Sequence, residues 1–131
     1  MTRLEEMLRG ERPAGVLRGR AVPAMTTIER LAAEYGWALR EVDLRGVRDK
    51  AGFIEAWARG LAFPAWHGKN WDAFEELLHD LSWLGDVKGC VAVVRSLGAG
   101  EPDMDFAMAI VEEAVERRRA RELGLVVLIP R

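Results

Sequence analysis

Residues 125–130 of this chain read LVVLIP, five consecutive aliphatic side chains followed by a proline. A strand without polar side chains has no face to turn to water, so this segment predicts a strand near the middle of a sheet that is covered on both sides. Residues 87–94 (VKGCVAVV) predict a second apolar strand, and residues 37–44 (WALREVDL) predict a third, alternating one. Strands of this kind separated by helices predict an α/β fold, a small parallel β-sheet covered by helices.

Three core strands are expected, and Val16 with Leu17 suggests a fourth strand at the edge of the sheet. Helix signals lie between the strands. Two capping boxes, each a threonine followed three residues later by a glutamate, predict helices that end at the next suitable glycine. The predicted boxes are Thr2 with Glu5, ending at Gly10, and Thr26 with Glu29, ending at Gly36.

Later helices are predicted from caps and from proline and glycine positions. Asp49 and Asn70 are the predicted N-caps of two helices. Pro102 suits the start of the longest helix, which is predicted to run to about Glu122 and to end at Gly124.

The composition is that of a globular protein that works inside the cell. The 131 residues suffice for one domain with its own core, and a formal net charge of −2 provides no global field to attract nucleic acid. Cys90 is the single cysteine and cannot form an internal disulfide. No apolar run has the length of a signal or membrane-spanning segment, so we expect a cytoplasmic protein without membrane contact.

Residues 63–84 (FPAWHGKNWDAFEELLHDLSWL) predict a loop followed by an amphipathic helix. At 3.6 residues per turn, one side of that helix is an apolar stripe made of Trp71, Phe74, Leu77, Leu78 and Leu81. The other side carries acids at every fourth residue, and further polar or aromatic residues lie near them. These residues are Asp72, Glu76 and Asp80, with Glu75, His79 and Trp83 beside them.

This acidic face has two possible interpretations. A charge run is often only a solvated helix face. Here, however, Lys69 is the single basic residue of the segment, whereas an ordinary solubilising face mixes both signs. Trp66 and Trp83 flank the acids, and tryptophan is favoured at the centres of interfaces. We therefore expect a protein-docking surface.

The central motif of this segment resembles the barstar family, inhibitors of the bacterial ribonuclease barnase. The matching residues are Pro64, Trp66, Gly68, Asn70, Asp72, Ala73, Phe74 and Glu76. The resemblance continues in order over residues 37–130. Residues 1–36 resemble an N-terminal extension found in a longer subgroup, and we expect this extension to pack on a barstar-like domain formed by residues 37–131.

The resemblance implies an inhibitor that fills a ribonuclease active site, and neither an enzyme nor a cofactor-binding protein. Arg, Lys and His in such a cleft bind phosphates, and carboxylates one helical turn apart, ~6 Å, can imitate successive phosphates. The implied partner-binding residues are the loop residues Trp66 and Gly68, the helix-start residues Asn70 and Asp72, and then Glu75, Glu76, His79, Asp80 and Trp83. Direct nucleic-acid binding is not expected of this acidic face, and a monomer is favoured.

Three residues depart from the family pattern. Glu76 is one methylene longer than the usual aspartate, and Glu75 stands where the family has a tryptophan. Arg117 stands where the last helix usually supplies another contact acid, at the start of the arginine-rich residues 117–121. If these arginines faced the partner they would repel a barnase-like cleft, so the target can be a different ribonuclease or toxin.

Two other functions remain open at this stage. One is an enzyme, for which the side chains of His67, Asp72, Glu76 and His79 could be arranged as metal ligands, although no recognised metal-binding signature accompanies them. The same fold could also serve as a non-inhibitory interaction or homo-oligomeric module that uses the N-terminal extension.

Overall fold

The computed structural model describes residues 2–64, 70–95, 102–118 and 122–130. In chain order the elements are α1 (Arg3–Leu8), β1 (Val16–Arg18), α2 (Met25–Tyr35), β2 (Ala38–Asp43), α3 (Lys50–Gly60), α4 (Trp71–Asp80), β3 (Gly89–Arg95), α5 (Pro102–Glu116) and β4 (Gly124–Ile129). Short 3-10 turns occupy Gly19–Ala21 and Ser82–Leu84. The predicted loop at residues 97–101 lies outside the described residues.

All described strands are parallel, and their spatial order is β1-β4-β3-β2. The apolar strand β4 is interior, as its lack of polar side chains predicted, and Val127 is paired with Val16 on one side and Ala92 on the other. The predicted edge strand is confirmed as β1, and β2 forms the opposite edge. The α/β fold with a parallel sheet is therefore confirmed.

The two faces of the sheet are covered by different parts of the chain. On one face, alternate residues of β3 and β4 such as Cys90 and Val127 pack with α3, α4 and α5. On the other face, the intervening residues, Val91, Val93, Val126 and Leu128, pack with Leu4, Met7 and Leu8 of α1 and with Ile28 and Leu31 of α2. The residues that precede position 37 thus supply the hydrophobic layer on the second face.

Trp37 joins these first elements to the start of the central strands. Its indole N–H donates to the backbone carbonyl of Leu8 at 3.2 Å. Its ring lies over Gly89 and Gly124, which are paired in register on β3 and β4. A Cβ atom at either glycine would stand closer to the ring than van der Waals contact allows. The missing side chains at these two positions therefore make room for the indole.

Most predicted helix starts are confirmed by their hydrogen bonds. The backbone N–H of Glu5 donates to the Thr2 hydroxyl at 3.1 Å, and the Asp49 carboxylate accepts from Gly52 at 2.8 Å. The capping box at Thr26 is wrong, because the N-cap lies two residues earlier, at Ala24, which forms no side-chain cap, and α2 begins at Met25. Thr26 lies inside the first turn, where helical backbone angles do not suit an N-cap.

The end of the longest helix was also predicted incorrectly. The helix α5 ends at Glu116 rather than near Glu122, and Gly124 belongs to β4 instead of terminating a helix. The last described turn tightens, since the N–H of Arg118 donates to the carbonyl three residues back. The Arg118 guanidinium then donates to the carbonyls of Leu78 and Leu123. These contacts direct the chain toward the start of β4.

Candidate functional site

The acidic face of α4 is open to solvent. Four carboxylate side chains are exposed and form no ion pair with any described residue, and these are Asp72, Glu75, Glu76 and Asp80. The Asp80 carboxylate also accepts a hydrogen bond from the backbone N–H of Ser82 at 3.2 Å. Elsewhere on the described surface several acids are paired with arginines, as in Glu41 with Arg95. Within the described parts of the chain, the α4 acids therefore have no internal cation paired with them.

The other side of α4 anchors this face to the hydrophobic core. Phe74, Leu77 and Leu78 are buried, Leu81 follows them into the core, and Trp71 is half-buried, so the predicted apolar stripe is confirmed. Phe74 contacts Phe53, Trp57, Phe63 and Trp71, with ring centroids 5.7–6.2 Å apart. These packed aromatic rings anchor α4 on the core, so the backbone that carries the acids is held in place.

Asn70 determines where α4 begins. Its side-chain oxygen accepts from the backbone N–H of Ala73 at 2.8 Å, and its backbone is extended, as an N-cap requires. The next acid, Asp72, lies in the first turn, where the positive end of the helix dipole stabilises a carboxylate. The predicted cap is confirmed, and the amide oxygen of Asn70 is already engaged within the helix.

His79 and Trp83 have internal partners. The imidazole Nδ1 of His79 lies 3.1 Å from a carboxylate oxygen of Glu122, so this side chain connects the end of α4 with the segment that precedes β4. The indole N–H of Trp83 donates to the carbonyl of Leu61 at 2.9 Å, and its ring packs edge-on against Phe63. Trp83 therefore supports the core from a half-buried position.

Trp66 and Gly68 lie outside the described residues, as does His67. Their placement beside the acidic helix stays a prediction. Within the described parts of the chain, no group of three or more His, Cys, Asp and Glu side chains is arranged to hold a metal ion. In the same parts, no helix has the length and apolar character needed to cross a membrane.

The family model described as Barstar (barnase inhibitor) matches residues 37–130. The chain belongs to the barstar family. The match begins and ends at the residues that the sequence resemblance indicated, and the elements before β2 lie outside it. Neither the curated proteins nor the solved structures give a match.

The residues that depart from the barstar pattern differ in their surroundings. Glu75 and Glu76 are both exposed on α4. Arg117 is exposed but forms an ion pair with Glu113 one turn earlier on α5. Arg118 is half-buried, and burial lowers the pKa of its guanidinium. In the described part of the arginine cluster, one guanidinium is therefore paired with a carboxylate and the other donates to backbone carbonyls.

Sequence reasoning missed Phe106, which is the one exposed large hydrophobic side chain of the described residues. A signal for it was available. The buried positions of α5 include Met104, Ala107, Met108 and Val111, and Phe106 does not fit their helical spacing. An aromatic residue outside the apolar stripe of a helix is a candidate contact residue.

Proposed function

We propose that this barstar-family protein inhibits a ribonuclease by inserting the acidic face of α4 into the enzyme's phosphate-binding cleft. The observation that carries the proposal is the set of four exposed α4 carboxylates without a described ion-pair partner, on a chain that belongs to an inhibitor family. A protein of this kind acts by occupying an active site and has no catalytic residues of its own.

Electrostatics favour such a complex. A ribonuclease cleft concentrates Arg, Lys and His where it binds RNA phosphates, and a carboxylate forms short, charge-assisted hydrogen bonds with the same groups. Asp72 and Glu76 lie one helical turn apart, a rise of about 6 Å. Because α4 is anchored by buried aromatic rings, little conformational entropy is lost on binding. Opposite charges also accelerate encounter, for which barnase–barstar is the standard example.

The loop before α4 and the outer α4 residues complete the proposed surface. Trp66 and Gly68 would contact the rim of the cleft, and Glu75 would add a charge where relatives present an aromatic ring. The longer side chain of Glu76 moves its carboxylate outward by about one methylene. We therefore propose a ribonuclease that differs from barnase in the position of its cations. Such a partner can be encoded by the same cell or by a competitor, and we place the encounter in the cytoplasm.

The experiment is an inhibition titration against barnase and the ribonucleases of the source organism, with cleavage of a fluorogenic RNA as the readout. The wild type should inhibit one of these enzymes at a one-to-one ratio. Asp72→Asn and Glu76→Gln should each weaken binding at least ~10-fold, which corresponds to about 1.4 kcal/mol. Binding should also weaken as salt concentration rises.

Glu29→Gln is the matched control. Glu29 is an exposed carboxylate on α2, which covers the opposite face of the sheet, and its removal changes the net charge by the same amount. This variant should inhibit like the wild type. Equal inhibition by the Asp72, Glu76 and Glu29 variants would refute the proposed site, and a folded wild type that inhibits none of the enzymes would refute the proposed function.

A further inference from the structure

Phe106 is 62% exposed in the second turn of α5. Because most of this ring stays in water, most of the free energy that burying it would contribute to folding is not gained. The neighbouring apolar residues of the same helix, Met104, Ala107 and Met108, are buried, so the helix does not need Phe106 for its attachment to the core.

Phe106 is nevertheless held in a defined place. Its ring meets the ring of Trp71 edge-on, with centroids 6.5 Å apart. Trp71 in turn packs against Phe53 at 6.0 Å and Phe74 at 5.7 Å, and these two rings are completely buried. An aromatic row therefore runs from the core to the surface and ends at Phe106.

The end of this row lies next to the acidic face. The helices α4 and α5 lie side by side and run in the same direction. Trp71 in the first turn of α4 meets Phe106 in the second turn of α5, and the carbonyl of Leu78 in the last turn of α4 accepts from the Arg118 guanidinium just after the end of α5. Asp72 directly follows Trp71, and the exposed Asp105 directly precedes Phe106. Each ring of this apolar contact thus has a carboxylate residue as its direct neighbour in sequence, one on each helix.

We propose that the docking surface continues from α4 onto α5 and that Phe106 enters an apolar recess beside the cationic cleft of the same ribonuclease. Trp71 and the half-buried Ile110, one turn after Phe106, form the rest of this apolar contact. The inference rests on the proposed function and specifies the partner further. The ribonuclease must offer an apolar recess next to its phosphate-binding cations.

The negative charge of this surface favours a ribonuclease over a second copy of the chain as the partner. If two copies met through Phe106, the acids around it would face the acids of the other copy, and like charges brought together at an interface oppose association. A ribonuclease cleft has the opposite sign. A buried aromatic residue surrounded by polar contacts is also the usual arrangement of an interface hot spot.

The two kinds of contact differ in their kinetics. Charges around an interface control mainly the association rate and its dependence on salt, whereas a buried apolar contact controls mainly the dissociation rate. Phe106→Ser should therefore increase koff about 10-fold or more and change kon less than about 2-fold, with an unchanged salt dependence of kon. Asp72→Asn should lower kon and reduce its salt dependence.

The test measures kon and koff by surface plasmon resonance at several salt concentrations. The immobilised enzyme is the ribonuclease that the wild type inhibits, and barnase is the first one to be examined. Ala33→Ser, an exposed substitution on α2, is the control and should leave both rates unchanged. Circular dichroism should give the same melting temperature for Phe106→Ser as for the wild type, because the ring is mostly exposed.

Three results would overturn this inference. Unchanged koff in Phe106→Ser, with weakened binding in Asp72→Asn, would refute the α5 contact and leave the proposed function intact. A wild type that forms dimers in sedimentation, with Phe106→Ser monomeric, would assign Phe106 to a second copy. A wild type that binds and inhibits no ribonuclease would refute the proposed function and this extension together.

Discussion

Replacing Gly124 by alanine should destabilise the protein through Trp37. The Cβ atom of the new residue would overlap the indole ring, and its three nearest atoms would all be carbons of that ring. Gly89 is a less suitable site, because a Cβ there would also meet the carbonyl of Gly124. Gly124→Ala therefore perturbs one defined contact.

The loss in the free energy of unfolding follows from how the Trp37 ring must respond to the added methyl group. Forcing a methyl group into a packed site costs about 1–3 kcal/mol. If the ring moves aside, its hydrogen bond to the Leu8 carbonyl is lost, which costs about 1 kcal/mol. Alanine has less freedom than glycine in the unfolded chain and returns about 0.4–1 kcal/mol. We expect a net loss of about 2 kcal/mol in the free energy of unfolding.

Urea denaturation, followed by far-ultraviolet circular dichroism, measures this loss. Gly15→Ala is the control, because its Cβ would have only an ordinary contact, with Met7 at 3.9 Å. A double-mutant cycle with Trp37→Ala isolates the contact itself. Without the indole ring, Gly124→Ala should cost less than about 0.5 kcal/mol. A cost below that value in the wild-type background, or the same cost with and without Trp37, would show that the ring does not occupy this place.

Three further predictions concern charge and burial. Glu76→Gln should raise the free energy of unfolding by about 0.4–1 kcal/mol at low salt, because it removes repulsion with the acids one turn before and after it on α4. The same substitution should weaken ribonuclease binding. Unchanged stability at low salt would contradict this prediction. Burial raises the pKa of the Cys90 thiol to about 12, so the unfolded chain releases this proton first. Stability should therefore fall as pH rises from about 9 toward 12, and Cys90→Ala should remove that part of the pH dependence in urea titrations. Hydrogen bonds from Arg45 lower the pKa of Asp43 to about 2, so its carboxylate signal in nuclear magnetic resonance should titrate near that value and move up in Arg45→Gln.

The sheet could be predicted because the composition of its strands indicates which of their faces are buried. The residues of β3 and β4 are apolar on both faces, and only an interior position in a covered parallel sheet hides both. The caps of α1, α3 and α4 could be predicted for a similar reason. Each depends on a side chain and a backbone N–H three residues apart, and such local contacts do not need the rest of the fold.

The features that could not be predicted depend on contacts distant in sequence. The end of α5 is set by Arg118, whose guanidinium donates to the carbonyl of Leu78, forty residues earlier. The indole N–H of Trp83 donates to the carbonyl of Leu61, directly after α3 and twenty-two residues earlier in the chain. Helical periodicity assigns a side chain to a face but does not reveal which carbonyl will come within reach of it.

The position of the hydrophobic layer beneath α1 and α2 has a consequence for where this molecule can be divided. Family matching locates the shared ancestry at residues 37–130, but the side of the sheet formed by Val91, Val93, Val126 and Leu128 is sealed by residues upstream of that stretch. Residues 37–130 produced alone would expose this apolar face of the sheet to water, and we expect them to aggregate. The segment that matches the family is therefore shorter than the segment that should unfold cooperatively. We expect the whole chain to unfold in a single transition.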